Sequence, residues 1–422
     1  MKLCVLGLSA RTNGELTMAL DVATRLRPAQ LHAVVGTPSV TLAASHGARV
    51  HPFPLVAGPL AFRRIVEHVK ALEPDVILLA DLALLHLSTE LGPSLLPLAH
   101  VLPTLAPTVA LDLYDWDTNA ATMDTFGVQL HQVFGPVPAN IGRLLPCPMH
   151  PPQDNTPGHG FYRVMEDSGP LSTSERTRVR QDLGLSGPVV LWTTSAWQHP
   201  VHGRMHMAPH QTVLPQAAAG QRIMEHFPMY ALRLLDRVSA RVGGVTLLHV
   251  GPLPFPMTDD LTSLRYVHRN TVGPEVFLPL LGSVDLLFNP NTPASSAWRA
   301  TTMRVPVLSV HQHAAPTSED PALRRYQDAT PGAFAWSVWP VGLHNTVHNL
   351  LRPNPTAAAA HVHANALQPE VLVEAAVELL KNPGPLQHAQ GLMWRGLEGL
   401  DHARALLAAL SQTSSPPRTP GS

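Results

Sequence analysis

The chain alternates short apolar runs with amphipathic stretches, and this alternation is what most limits the folds open to it. Five apolar runs in the first half predict strands, at 2–8, 31–36, 50–55, 76–79 and 106–111. The stretches between them predict helices, at 14–27, 39–47 and 61–73. Apolar runs without polar alternation are typical of parallel strands that are buried on both faces. We therefore predict a doubly wound α/β domain, with helices on both faces of a parallel sheet.

The second half repeats the pattern. Its apolar runs predict strands at 189–193, 245–250, 264–268, 284–288 and 306–310. The predicted helices cover 223–241, 275–281, a segment that begins near Ser295, and the C-terminal region 342–411. A second Rossmann-like parallel-sheet domain is therefore predicted, with ligands expected where the strands end.

The length of the chain and its Pro- and Gly-rich segment indicate how it divides into domains. At roughly 100–200 residues per domain, 422 residues suit two domains. A Pro- and Gly-rich stretch lies between the two patterns, and Ser172 with Glu175 predicts a capping box where the next helix begins. The predicted division is an N-terminal domain 1–150, a linker 151–172, a C-terminal domain 173–385, a C-terminal helix 386–411 and a disordered tail 412–422.

Composition excludes several classes of protein. The formal net charge of −1 offers no basic excess for a phosphate backbone, so nucleic acid is not the expected partner. No apolar run reaches the ~18 residues that a membrane helix needs. The run 2–8 lacks a small-residue cleavage site, which favours a buried strand over a signal peptide. Cys4 and Cys147 are expected to be reduced, in a cytoplasmic protein.

Three common enzyme signatures are missing from the sequence. It contains no GxxxxGK[ST] phosphate loop, no GxGxxG after the first strand and no GxSxG elbow. A P-loop NTPase, a nicotinamide enzyme and an α/β-hydrolase are therefore disfavoured.

Two doubly wound domains, joined by a proline-rich segment and closed by C-terminal helices, resemble the GT-B glycosyltransferases. The best local match runs from Leu278 to Val310 and reads as helix, strand, turn, helix and strand. In that family the helix N-terminus of this segment lies under the donor diphosphate, where free amides and the helix dipole favour negative charge. The resemblance implies that the donor is held by Asn291, Thr292, Ser295 and Ser296.

Further site residues are implied by their places after strands, at the edge where ligands of open α/β sheets bind. They are Ser9, Asn13, Gly14, Thr194, Ser195, Gly251 and His311. Asn13 is equally suited to cap a helix, with Glu15 in its first turn. The sequence departs from the family pattern at Arg299, where many members have a ribose-binding Glu, and at Arg304, where a Gly is usual. Arg299 is expected to meet a phosphate or to lie on a site that has lost its nucleotide.

A carboxylate base is expected after strand 106–111. Asp115 and Asp117 flank Trp116, so either could take a proton from an acceptor hydroxyl while the aromatic ring stacks on a sugar. The alternative is a polar loop whose Asp residues cap the next helix.

Four histidines, His199, His202, His206 and His210, have spacings that suit a metal site on a helix. Pro200, Gly203 and Pro209 interrupt such a helix, so a polar substrate-binding insertion is predicted and no metal.

The resulting hypothesis is a metal-independent glycosyltransferase with two domains facing a cleft. It would use a nucleotide-sugar as co-substrate, no other cofactor, and a small-molecule or peptide acceptor. Two alternatives stay open: an inactive GT-B-fold scaffold for a biosynthetic enzyme, and a sugar-nucleotide epimerase, which would need acid and base carboxylates. A protein partner or a homodimer stays open as well.

Overall fold

The computed structural model describes residues 1–8, 14–53, 59–80, 96–113, 124–125, 128–129, 138–194, 217–257, 260–290, 294–311, 319–330, 351 and 353–411. Contacts between Cα atoms divide the chain into two compact units. The first unit comprises 1–121, 130–165 and 396–422, and the second comprises 122–129 and 166–395.

The first part of the chain alternates strands with helices and ends in two successive strands. Its elements are β1 (Lys2–Gly7), α1 (Gly14–Arg25), β2 (Gln30–Gly36), α2 (Val40–Ser45), β3 (Arg49–Phe53), α3 (Pro59–Leu72), β4 (Val76–Leu79), α4 (Leu96–Leu105), β5 (Thr108–Leu111), β6 (Asp124–Thr125), β7 (Val128–Gln129), β8 (Ile141–Cys147) and β9 (His159–Arg163).

The remainder alternates again and then becomes mainly helical. Its elements are α5 (Thr173–Asp182), β10 (Val189–Thr193), α6 (Ala217–Val242), β11 (Val245–Val250), β12 (Leu264–Arg269), α7 (Pro274–Ser283), β13 (Leu286–Asn289), α8 (Ser295–Thr302), β14 (Val307–His311), α9 (Pro321–Ala329), α10 (Pro355–Ala359), β15 (Val362–Asn365), α11 (Pro369–Lys381), α12 (Gly384–Arg395) and α13 (His402–Leu410).

The sheet of the first unit has seven parallel strands in the order β3-β2-β1-β4-β5-β8-β9. The last helix, α13, packs on β8 and β9. Gly142 and Gly160 allow this, because a Cβ at either position would lie 2.1 Å or 2.0 Å from a carbonyl oxygen of the helix. The C-terminal helix is therefore part of the first unit, and the two glycines fix how closely it approaches the sheet.

The sheet of the second unit has six parallel strands in the order β12-β11-β10-β13-β14-β15. One apolar cluster brings Trp192 of β10 together with residues of α6 and α11, and a second brings Leu191 together with residues of α7 and α8. Both faces of the sheet are thus buried, which explains why its strands are continuous apolar runs. The predicted class, two doubly wound parallel-sheet domains, is confirmed.

Local predictions agree with the structure unevenly. The capping box is confirmed, since Ser172 and Glu175 exchange side-chain and backbone hydrogen bonds at the start of α5. The interval 151–172, expected to be a linker, contains β9, and the region 342–411, expected to be helical throughout, contains β15. The expected single C-terminal helix 386–411 is two helices, α12 and α13. The tail 412–422 lies outside the described residues.

Among the helices that the structure describes, none is both long and apolar enough to cross a membrane. Cys4 and Cys147 are buried and unpaired, and burial raises the pKa of each thiol to about 12. Thiols of such high pKa are unreactive at neutral pH.

Candidate functional site

The strand order of the second sheet reverses beside β10. From β10 the chain continues to β11 and β12 on one side, whereas β13 leads to β14 and β15 on the other. Ligands of open α/β sheets bind at such a switch point, beyond the carboxyl ends of the strands. Thr194 follows β10 at this edge and α8 follows β13, so the two predicted binding segments flank the switch point.

Among the residues that the structure describes, no side chain caps the N-terminus of α8. Ala294 occupies the N-cap position and its side chain accepts no hydrogen bond. Ser295 and Ser296 form the first turn, and the Oγ of Ser296 lies 3.4 Å from the Oγ1 of Thr193, the last residue of β10. An uncapped first turn presents backbone N–H groups and a positive dipole end, which together favour an anion. Asn291 and Thr292, also predicted here, lie outside the described residues.

Asn289 is a feature that the sequence did not single out. It is the last residue of β13 and is 2 % exposed, and its Nδ2 has no hydrogen-bond partner among the described residues. A buried amide without a partner costs roughly 1–3 kcal/mol. Such a group, next to the turn that leads into α8, is typical of a site that donates to a bound ligand.

A chain of hydrogen bonds holds Thr194 in place. Its Oγ1 lies 2.8 Å from Nε2 of His249, whose Nδ1 lies 2.7 Å from the hydroxyl of Tyr266. The backbone N–H of Phe255 donates to the same Tyr266 hydroxyl at 2.9 Å. His249 is fully buried and stacks on the Phe255 ring, with centroids 3.9 Å apart. Burial raises the pKa of Tyr266 to about 12, so the phenol keeps its proton.

Gly251, predicted as a ligand contact, is a packing requirement of this chain of hydrogen bonds. A Cβ at this position would lie 2.1 Å from Oγ1 of Thr194 and 2.8 Å from Nε2 of His249. Its carbonyl lies 3.0 Å from Nε2 of His268. Only a glycine therefore leaves room for the bond between Thr194 and His249. An isolated glycine signals close approach, but the sequence does not show which group approaches.

The structure places Arg299 in α8 and His311 at the end of β14, as the sequence predicts. Arg299 is half-buried in the last turn of α8, four residues after Ser295 and thus on the same helical face. His311 is half-buried at the end of β14. Its ring lies 6.5 Å from that of His363 on β15.

Arg304 lies at a position where a glycine is usual in the GT-B glycosyltransferases that the sequence resembles. It ends α8 in a left-handed conformation with φ +57°. Its N–H donates to Thr301 and that of Val305 donates to Ala300, which together form a Schellman motif. Two guanidinium nitrogens lie 2.7 Å from the two carboxylate oxygens of Asp167. This bidentate pair offsets the conformational cost of a residue with a Cβ at a position that favours glycine.

Most of the site residues predicted in the first unit lie outside the part of the chain that the structure describes. Gly14 begins α1, whereas Ser9, Asn13, Asp115 and Asp117 lie outside the described residues, as does Ser195 in the second unit. The histidine segment 199–210 is outside them as well.

A buried ion pair lies just before the expected carboxylate base. The carboxylate of Asp112 accepts from Nη1 of Arg143 at 3.3 Å, and both side chains are nearly inaccessible. His150 Nε2 lies 3.1 Å from the carbonyl of Leu113. These contacts fix the start of the segment that continues to Asp115.

In the part of the chain that the structure describes, no three His, Cys, Asp or Glu residues are grouped so that they could hold a metal ion.

Two doubly wound parallel sheets in one chain, with an uncapped helix at the switch point of the second, define the GT-B glycosyltransferase fold, and solved structures agree. The spinosyn forosaminyltransferase SpnP matches with a TM-score of 0.51 at 15 % identity, over 98 % of this chain and 99 % of its own. The spinosyn rhamnosyltransferase SpnG matches with a TM-score of 0.51 at 14 % identity, over 97 % and 100 %. HepE from Anabaena, in complex with UDP and glucose, matches with a TM-score of 0.50 at 13 % identity, over 98 % and 100 %. The expected GT-B fold is confirmed.

The chain belongs to the family of unknown function DUF6365, whose sequence profile matches residues 22–408. No curated protein sequence matches the chain.

Proposed function

We propose that the chain is a metal-independent glycosyltransferase that moves a sugar from a nucleotide-sugar to a hydroxyl of a small-molecule or peptide acceptor. The observation that carries the proposal is the start of α8, which no described side chain caps, together with the buried Asn289 before it, whose Nδ2 has no hydrogen-bond partner among the described residues. Both lie at the switch point of the second sheet. The site offers a positive helix-dipole end and hydrogen-bond donors, of which Nδ2 of Asn289 is paired with no acceptor among the described residues.

The donor diphosphate would be held by groups that only donate to its oxygens. The first-turn amides of α8 and the hydroxyls of Ser296 and Thr194 lie at this edge, and Asn289 adds an amide. Ser195, Asn291 and Thr292 would complete the set, and Arg299, on the face of Ser295, would reach the phosphates or the ribose. When the glycosidic bond to the diphosphate breaks, the growing negative charge is stabilised by these fixed dipoles. The complex of HepE with UDP and glucose supports this class of ligand.

The acceptor would bind in the first unit. Ser9, Asn13 and Gly14 would contact it, and Asp115 or Asp117 would take the proton of its hydroxyl as the oxygen attacks the anomeric carbon. The pair of Asp112 and Arg143 would support the start of that segment. No residue of this set coordinates a metal in the proposal.

The decisive test places a negative charge at the proposed phosphate site. Ser296→Asp puts a carboxylate at the second position of α8, and Ser174→Asp makes the same change at the second position of α5. Either Asp should stabilise its helix by about 0.3–1 kcal/mol through the dipole. Only Ser296→Asp should weaken binding of UDP or thymidine diphosphate, by about tenfold or more, in isothermal titration calorimetry. Equal affinity in the two variants would remove the diphosphate from this site.

A GT-B-fold protein that binds a nucleotide without transferring sugar is the second candidate. Arg299 favours it, because a guanidinium stands where many members of the resembling family have a carboxylate for the ribose. Hydrolysis or transfer from UDP- and TDP-sugars separates the two candidates, since only a transferase consumes the donor. Asp115→Asn and Asp117→Asn should then show which carboxylate is the base. Release of an epimerised sugar would instead identify an epimerase.

A further inference from the structure

We infer that Tyr266 and His249 are positioning residues that fix the direction of the hydrogen bond at Thr194, so that the Thr194 hydroxyl is left to donate to an anionic group of the bound nucleotide. The inference rests on the proposed function for the identity of the ligand. The order of the hydrogen bonds follows from the unliganded protein alone.

The order begins at a backbone amide, which can only donate. The N–H of Phe255 donates to the hydroxyl oxygen of Tyr266 at 2.9 Å. The Tyr266 hydroxyl has one proton, and among the described residues its other polar neighbour is Nδ1 of His249 at 2.7 Å. If that proton pointed elsewhere, it would meet no other acceptor among the described residues and the half-buried hydroxyl would give up its hydrogen bond to His249. Tyr266 therefore donates to Nδ1, and Nδ1 acts as an acceptor.

The tautomer of His249 follows from that assignment. A neutral imidazole carries one proton, so an accepting Nδ1 places the proton on Nε2. Nε2 lies 2.8 Å from Oγ1 of Thr194 and donates to it. Thr194 has accepted this bond, so its own proton is free to point away from His249. The opposite tautomer would draw the Thr194 proton inward and present lone pairs to the ligand, which would repel a phosphate oxygen.

The packing around these groups shows that they are held in one arrangement. The ring of His249 is fully buried and stacks flat on that of Phe255. Gly251 leaves the space that the bond between Thr194 and His249 occupies, since a Cβ there would lie 2.1 Å from Oγ1 of Thr194. A hydroxyl held by a buried histidine loses less rotational freedom on binding than a free one, and this should strengthen its bond to the ligand.

The first measurement is the tautomer itself. In protein labelled with ¹⁵N-histidine, the ring nitrogens of His249 are identified by the signals that disappear in His249→Gln. The inference expects the proton on Nε2 in the unliganded protein. A proton on Nδ1 would overturn the order of hydrogen bonds, whatever the protein binds.

The second measurement separates a positioning role from a structural one. Calorimetry with UDP and with thymidine diphosphate selects the nucleotide that binds the wild-type protein. Thr194→Val should weaken its binding about tenfold and Thr194→Ser by less than about twofold, because the serine keeps the hydroxyl. Tyr266→Phe should weaken binding about three- to tenfold in the wild-type background, and should have no further effect in a protein that already carries Thr194→Val.

Three outcomes of these measurements would contradict three different claims. Equal losses from Tyr266→Phe in both backgrounds would mean that the tyrosine acts through general packing, and the positioning role would be wrong. If neither nucleotide binds the wild-type protein, the proposed function fails and takes the assignment of the ligand with it. A wild-type protein that binds, and in which Thr194→Val has no effect, refutes the role of Thr194 while leaving the proposed function intact.

Discussion

Gly251→Ala tests the arrangement at the end of β10 and β11 with a single methyl group. The backbone of Gly251 is not left-handed, so an alanine is not strained there by its φ angle. The new Cβ would lie 2.1 Å from Oγ1 of Thr194, whereas ordinary contact begins at 3.4 Å. The hydroxyl must therefore retreat by 3.4 − 2.1 = 1.3 Å, which breaks its 2.8 Å bond to His249.

The loss of stability in Gly251→Ala can be estimated from the contacts that change when the Thr194 hydroxyl moves. Loss of the hydrogen bond costs about 0.5–1.5 kcal/mol. The new Cβ would also lie 2.8 Å from Nε2 of the fully buried His249, and overpacking of this kind costs about 1–3 kcal/mol. The lower entropy of the unfolded chain returns about 0.4–1 kcal/mol. We expect a net loss of about 1–3 kcal/mol, which lowers the melting temperature of a unit of this size by about 2–4 °C per kcal/mol. Affinity for the nucleoside diphosphate should fall about as far as it does in Thr194→Val.

The assay is thermal melting with and without the nucleotide, together with calorimetry. Gly384→Ala is the matched control, because no atom lies within 4 Å of its new Cβ and its backbone is not left-handed. The control should keep both stability and affinity. If Gly251→Ala also keeps both, Thr194 and His249 are not held by the contact that we describe, and the reasoning from this glycine is refuted.

Two further predictions concern the packing of α13 on the first sheet and the C-terminal end of α8 in the second unit. Gly160→Ala places a Cβ 2.0 Å from a backbone oxygen of α13, so the helix must move and stability should fall by about 1–3 kcal/mol, whereas Gly399→Ala, with open space around it, should be neutral in the same denaturant titration. Arg304→Gly should be nearly neutral in melting, because relief of the left-handed φ offsets the lost ion pair, while Asp167→Asn, which breaks the pair and keeps the strain, should be clearly destabilising.

Much of the fold could be predicted from periodicity because its parallel strands are buried on both faces and therefore apolar throughout. β9 escaped that signal. It reads His-Gly-Phe-Tyr-Arg, and its glycine is there because α13 passes over the strand. β15 escaped it as well, since only four residues form the strand and two of them, His363 and Asn365, are polar. In both places the tertiary neighbour decides the structure, and local sequence does not show that neighbour.

The sequence predicts where the candidate site lies better than it predicts which side chains form hydrogen bonds there. The rule that ligands bind beyond the carboxyl ends of parallel strands pointed to Thr194 and to the start of α8. The same rule could not find His249 or Tyr266, because their roles depend on register: residue 249 precedes the end of β11, and Tyr266 on β12 reaches it across the sheet. The rule did not mark Asn289 as a binding residue either, since burial without a partner becomes visible only in three dimensions.

The two arginines that depart from the resembling family have different consequences for function. Arg304 stands where a glycine is usual, and its left-handed backbone, its Schellman hydrogen bonds and its pair with Asp167 account for it as the end of α8. The loss of that glycine therefore carries no evidence against nucleotide binding. Arg299 replaces a carboxylate with a cation on the face of Ser295. This reverses the charge offered to a ribose and adds to the charge offered to a phosphate. The binding affinities of the Arg299→Glu variant therefore show whether this residue contacts the phosphates or stands where a ribose contact has been lost. If the guanidinium binds phosphate, the variant should lose affinity for the diphosphate. If the site has merely lost its ribose contact, the variant should gain affinity for the nucleoside diphosphate relative to inorganic pyrophosphate.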